Sequence, residues 1–188
     1  LDVSLSAGQM LVVSGPNGAG KTSLLRILAG IAMPEAGDVT WNNESIFTDA
    51  SAYNQDLLYI GHKLGFSPNL SAFENIDFWL QQRQVSFTRS AVLDVLDNLA
   101  LIGMDNVLVR QMSAGQQRRV ALAKLWLAPA TLWILDEPLT ALDKFGIALL
   151  QQKMISHVQA GGMIVSTSHQ QFDVEIPLTV LELESSLL

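Results

Sequence analysis

The chain has 188 residues and a mass of 20.5 kDa, the size of one substantial domain, and its 49% hydrophobic against 15% charged residues excludes intrinsic disorder. Eleven Lys and Arg against eighteen Asp and Glu leave a net charge of -7, which argues against nucleic-acid binding through general phosphate neutralisation. Cysteine is absent, so disulfides, thiolate chemistry and cysteine-ligated metal centres are ruled out.

The sequence opens at Leu1-Asp2-Val3 without an initiator Met or a basic-then-apolar leader, which points to N-terminal trimming and shows no secretory signal. Leu1, Val3 and Leu5 alternate with polar residues, and Met10 to Ser14 form an apolar run, so two strands are expected around the turn at Ala7-Gly8. Helical spacing follows from Thr22 to Ala29, then Val39 and Trp41 predict a short strand before a turn at Asn42-Asn43. Leu57 to Ile60 reads as a buried strand ending at Gly61-His62.

From about Lys63 to Leu127 the pattern is helical. Ser71 and Glu74 have capping-box spacing ahead of a stripe of Phe73, Ile76 and Leu80, and Thr88 is placed to cap a second helix carrying Val92, Val95, Leu96 and Leu99. The longest apolar stretch, Leu125 to Leu135, is broken by Pro129 and is shorter than the ~20 residues of a membrane helix. Short strands return at Leu132 to Leu135 and Met163 to Val165. Between them Ile147, Leu150, Met154 and Val158 share a helix face, and Gly161-Gly162 stop that helix. His157 lies on the same helix with no histidine at metal-ligand spacing and is expected to be a solvated surface residue.

Three segments carry chemistry. Gly15-Pro16-Asn17-Gly18-Ala19-Gly20-Lys21-Thr22, between a strand and a helix, matches the phosphate-binding P-loop pattern. Its glycines let backbone N-H groups close on phosphate oxygens, while the helix N-terminus, which includes Ser23, faces the same anion. Lys21 would reach the β- and γ-phosphates, and Thr22 would place a hydroxyl on Mg2+. Asp136 and Glu137 leave the buried strand Leu132 to Leu135 at the end where open α/β sheets bind ligands. Asp136 would hold Mg2+ through its water shell, and Glu137 would orient or deprotonate the attacking water. Ser113 and Gln116 have capping-box spacing at a third helix start.

The run Ser113-Ala114-Gly115-Gln116-Gln117-Arg118-Arg119, then Asp136-Glu137, Thr140-Ala141-Leu142-Asp143 and His169, in that order after the P-loop, resembles the ATP-binding cassette (ABC) family. That resemblance covers nearly the whole chain. It implies an α/β P-loop NTPase fold with a RecA-like core at about 1–62 and 128–188, an antiparallel β subdomain, and a helical subdomain at about 63–127. It further implies ATP and Mg2+ as ligands and an ATP-sandwich dimer with a second copy. In that dimer Ser113, with Gly115 and Gln116, would face the γ-phosphate held by the partner copy. Asp143 would belong to the interface loop, and His169 would contact the γ-phosphate.

Two departures from the family pattern stand out. Ala114 replaces a more usual glycine in the signature. His62 stands where the family usually has a glutamine that touches Mg2+ and the attacking water, so a hydrogen bond to water or phosphate is expected in place of direct coordination. The adenine-stacking aromatic residue of the family would lie upstream of Leu1. Within the family, Tyr59-Ile60-Gly61-His62, Leu70-Ser71-Ala72-Phe73-Glu74-Asn75-Ile76 and Leu132-Trp133-Ile134-Leu135-Asp136-Glu137-Pro138 are similar to the ATP-binding subunits of bacterial haem exporters. The likeness implies cytochrome c maturation, work at the cytoplasmic face of the inner membrane beside integral membrane subunits, and a haem chaperone as an indirect partner. A transporter subunit for another substrate is the alternative.

Overall fold

A computed structural model describes residues 1–48, 50–168 and 170–184. The chain divides into two compact units, one made of Leu1–His62, Ala130–Pro138 and the residues from Met154 on, the other of Lys63–Pro129 and Leu139–Lys153.

The first unit contains β1 (Met10–Ser14), α1 (Lys21–Leu28), β2 (Thr40–Trp41), β3 (Glu44–Ser45), α2 (Ala50–Asp56), β4 (Leu57–Ile60), β5 (Leu132–Leu135), β6 (Met163–Thr167) and β7 (Leu178–Glu182). Five of these strands make one parallel sheet in the order β4-β5-β6-β1-β7. The apolar runs of β5 and β6 are buried along their whole length, as expected of parallel strands covered on both faces. One side packs Leu11, Val13, Ile134 and Val165 with Leu25, Ala29 and Tyr53 from α1, its C-cap and α2. Tyr53 also donates from its hydroxyl to the Leu28 carbonyl at 2.5 Å. Because the strands are parallel, the C-terminal ends of β1, β4, β5 and β6 share one edge, and the P-loop, His62 and Asp136-Glu137 all follow directly from it. The hairpin β2-β3 is antiparallel and turns at Asn42-Asn43, whose φ angles of 52° and 65° suit Asn in a tight hairpin.

The structure differs from the sequence expectation at three places in this unit. Residues 1–6 form no strand, although they alternate, because both edges of β1 are already paired, with β6 and with β7. β7 was not expected; it is an edge strand whose residues are mostly exposed, although Leu178, Val180 and Leu181 give it a strand-like composition. α2 buries only Tyr53 and therefore shows no apolar stripe.

The second unit holds α3 (Ala72–Gln82), α4 (Arg89–Asn98), α5 (Ala114–Leu122) and α6 (Lys124–Leu127), with a 3-10 turn at Val109–Gln111. Ser71 and Glu74 form the expected reciprocal capping box on α3, and Thr88 caps α4 by accepting from the Ala91 N-H. Ile76, Leu80, Val92 and Leu96 are buried as the periodicity requires. α7 (Lys144–Gln159) buries Leu150, Met154 and Val158, and Gly161 follows it at φ 89°. Among the described residues no helix is long and apolar enough to cross a membrane.

Candidate nucleotide site

The P-loop leaves β1 through Gly15 at φ 140°, where an added Cβ would stand 2.5 Å from the Leu183 carbonyl oxygen. Close approach therefore demands glycine there. Gly18 and Gly20 have φ of 85° and 91°, and a Cβ added at either would meet nothing within 4 Å, so backbone conformation alone demands glycine and the space in front of the loop is open. Gly20 starts α1 without a side-chain cap. The first-turn N-H groups of Lys21, Thr22 and Ser23 are thus available to an anion, beside the exposed Pro16, Asn17 and Gly18 and the part-exposed Ala19. Lys21 is buried, and its Nζ donates to the carbonyls of Gly15 at 2.7 Å and Pro16 at 3.0 Å, which holds the ammonium across the loop.

At the end of β5, Asp136 is 1% exposed. Its Oδ2 accepts from Thr22 Oγ1 at 3.0 Å and its Oδ1 from Thr167 Oγ1 at 2.8 Å. The same Thr167 oxygen accepts from the Glu137 N-H at 2.9 Å, so one buried hydroxyl sets both acids. The Asp136 N-H donates to the Ile60 carbonyl at 2.8 Å, tying β5 to β4 where the His62 turn begins. Glu137 sits at φ 48°, a left-handed conformation that turns it out of the strand direction. Sequence reasoning missed Thr167; its signal was a hydroxyl closing the apolar run of β6 at the shared sheet edge. The Thr22 hydroxyl and Asp136 carboxylate are two hard oxygen donors side by side, which fits Mg2+, a cation that keeps most of its waters.

His62 is exposed, one residue beyond the buried Gly61. Gly61 cannot carry a side chain without meeting the Tyr59 hydroxyl, which would lie 2.7 Å from its Cβ. Burial raises the Tyr59 hydroxyl pKa, the Asp136 carboxylate adds to the rise, and Arg26 opposes it.

In the second unit, Ser113 caps α5 by accepting from the Gln116 N-H at 3.2 Å, and Gln116 Oε1 accepts the Ser113 N-H at 2.8 Å. Gly115 packs so closely on the loop after β5 that an added Cβ would lie 2.7 Å from the Ala141 carbonyl oxygen. Asp143 accepts from the Gly146 N-H at 2.8 Å and from Arg119 Nη2 at 2.6 Å. These two bonds, the Gly146 one first, hold its carboxyl below the usual range. Ser113, Gly115, Gln116 and Asp143 are thereby brought together within this unit. Arg119, the residue that ties α5 to the loop, was not singled out from sequence.

The ABC transporter family model matches residues 1–140. The chain belongs to the ABC transporter family. Two curated relatives carry the name cytochrome c biogenesis ATP-binding export protein CcmA. The one from Vibrio cholerae is 45% identical over 177 residues, covering 94% of this ABC chain and 86% of its own. The one from Idiomarina loihiensis is 53% identical over 170 residues, covering 90% and 77%. A solved dimeric bacterial ABC transporter cassette superposes with a TM-score of 0.80 at 23% identity, over 98% of this chain and 86% of that one. A dimeric post-hydrolysis ATP-binding cassette bound to ADP and phosphate gives 0.76 at 23% identity, over 89% and 78%. These two likenesses establish the shared ABC fold.

Of the two remaining histidines of this ABC chain, His169 lies outside the described residues. His157 is not the solvated residue expected. Its ring stacks on Trp133 of β5 with centroids 3.7 Å apart and planes 7° from parallel, and its Nε2 is buried. Position 157 borders the apolar stripe, three residues after Met154, and Gly162 leaves room for the ring.

Proposed function

We propose that the chain is the ATP-hydrolysing subunit of an exporter serving cytochrome c biogenesis, with haem as the cargo and integral membrane subunits as its working partners. The observation that supports the ATPase reading is the hydrogen-bonded chain Thr22–Asp136–Thr167–Glu137, which ties the first turn after the P-loop to the Asp136 carboxylate and, through Thr167, to the Glu137 backbone. The export reading is supported by the CcmA relatives at 45% and 53% identity over most of the chain.

In this reading the backbone N-H groups of the loop and first helical turn, from Asn17 to Ser23, and the Lys21 ammonium hold the phosphates of ATP. Thr22 and Asp136 would hold Mg2+, which would supply positive charge to offset that of the phosphates. Glu137 takes a proton from the water that attacks the γ-phosphorus, and ADP and phosphate leave. His169 contacts the γ-phosphate and His62 accepts a hydrogen bond from water. A second copy closes each site with its Ser113, Gly115 and Gln116, while Asp143 lies in the loop between copies. The subunit works peripherally at the cytoplasmic face of the inner membrane, a haem chaperone acts beyond the membrane subunits, and no nucleic acid is involved.

The test is reconstitution with the membrane subunits in liposomes. ATP turnover that responds to haem, and ATP-dependent haem movement that Glu137→Gln abolishes, are the expected results. Turnover indifferent to haem, with a different cargo moved, overturns the export reading while leaving the ATPase.

A further inference from the structure

Lys124 on α6 keeps only 8% of its surface accessible. Among the described residues no carboxylate or hydrogen-bond acceptor meets its ammonium. Its neighbours are ring faces, with Nζ 5.3 Å from the centroid of Phe66 and 5.0 Å from that of Trp79. The Arg83 guanidinium stands 5.4 Å from the same Trp79 ring. Lysine is almost never this buried unless paired, and two cation-π contacts offset only part of the lost hydration. The desolvation is large enough to pull the ammonium pKa down to about 8. The site is therefore one counter-ion short.

We infer that Lys124, caged by Phe66 and Trp79, is an anchor for an Asp or Glu side chain carried on a cytoplasmic segment of the membrane subunit. This rests on the reading of the chain as a transporter subunit. The chemistry selects a carboxylate on a polypeptide. A carboxylate supplies the missing counter-charge, and Arg83 adds a second cation beside the same ring. The part-exposed rings of Phe66 and Trp79, with Phe78 58% exposed on the same helix as Trp79, supply the aromatic contacts that protein interfaces favour. The chain as a whole carries -7, so an acidic segment gains nothing from the general field. Its attraction has to be local, which makes the anchor a selector of register as well as a point of hold.

The experiment is co-expression of the chain with its membrane subunits, followed by affinity capture in detergent and a parallel measurement of ATP binding. Lys124→Met keeps the apolar stem and removes the charge. It should cut recovery of the membrane subunits roughly tenfold or more with ATP affinity unchanged, while Lys124→Arg restores recovery. One Asp→Lys or Glu→Lys exchange in the cytoplasmic segments of the membrane subunit should reproduce the loss with the wild-type chain, and Lys124→Glu should rescue that exchange. Full recovery with Lys124→Met, or no acidic position whose exchange matters, overturns the anchor alone. A wild-type chain that hydrolyses ATP and recovers no membrane subunit overturns the transporter reading and the anchor with it.

Discussion

Thr22 Oγ1 donates to Asp136 Oδ2 across 3.0 Å, joining the first turn of α1 to the end of β5. Asp136 is buried and also satisfies Thr167, which is 0% exposed. Asp136→Ala should therefore orphan a buried hydroxyl and lower stability by ~1–3 kcal/mol in urea melts. Thr22→Val, at an exposed position, should leave the melt within ~0.5 kcal/mol while weakening the dependence of ATP binding on Mg2+. Equal Mg2+ dependence in Thr22→Val and wild type would remove Thr22 from the metal site.

Glu137→Gln preserves size and removes the base. Turnover should fall by ~10²-fold or more, and an ATP-bound dimer should accumulate. Light scattering that finds only monomer for this variant with ATP and Mg2+ would count against the two-copy site.

Gly115→Ala would press a methyl group onto the Ala141 carbonyl, 2.7 Å away. A loss of ~1–3 kcal/mol is expected without any nucleotide, because the clash lies within one chain. A thermal melt matching wild type would mean that the loop through Ala141 yields freely, and that the glycine serves the nucleotide alone.

Burial lowers the Lys124 ammonium from 10.5 to about 8, so between those values the unfolded chain binds more protons than the folded one. Stability attributable to this residue must then rise with pH across that window, and the penalty is full below about pH 8. Lys124→Met should be more stable than wild type at about pH 7, by on the order of 3 kcal/mol at most, and the advantage should shrink towards about pH 10.5. Urea melts of both proteins across the window measure it; a constant difference would show that the Lys124 ammonium is well hydrated.

What sequence alone determined is local. The glycines and Lys21 of the P-loop, the capping boxes of Ser71 with Glu74 and Ser113 with Gln116, and the buried strands at 57–60 and 132–135 depend on neighbours within a few residues. Hydrogen bonds and apolar periods at such short range leave their mark in spacing. Tertiary structure alone decided that β7 would lie beside β1, and that Thr167 would reach both Asp136 and Glu137 from another strand. It likewise decided that Arg119 would hold Asp143, that His157 would stack on Trp133, and that Lys124 would be buried between Phe66 and Trp79. Each of these pairs is distant in sequence, and a single Thr, Arg, His or Lys looks the same in a string whether solvent or a buried partner awaits it. Only the closing of parallel strands and packed helices chooses between the two, because burial makes an unmet polar group costly and a met one fixed in place.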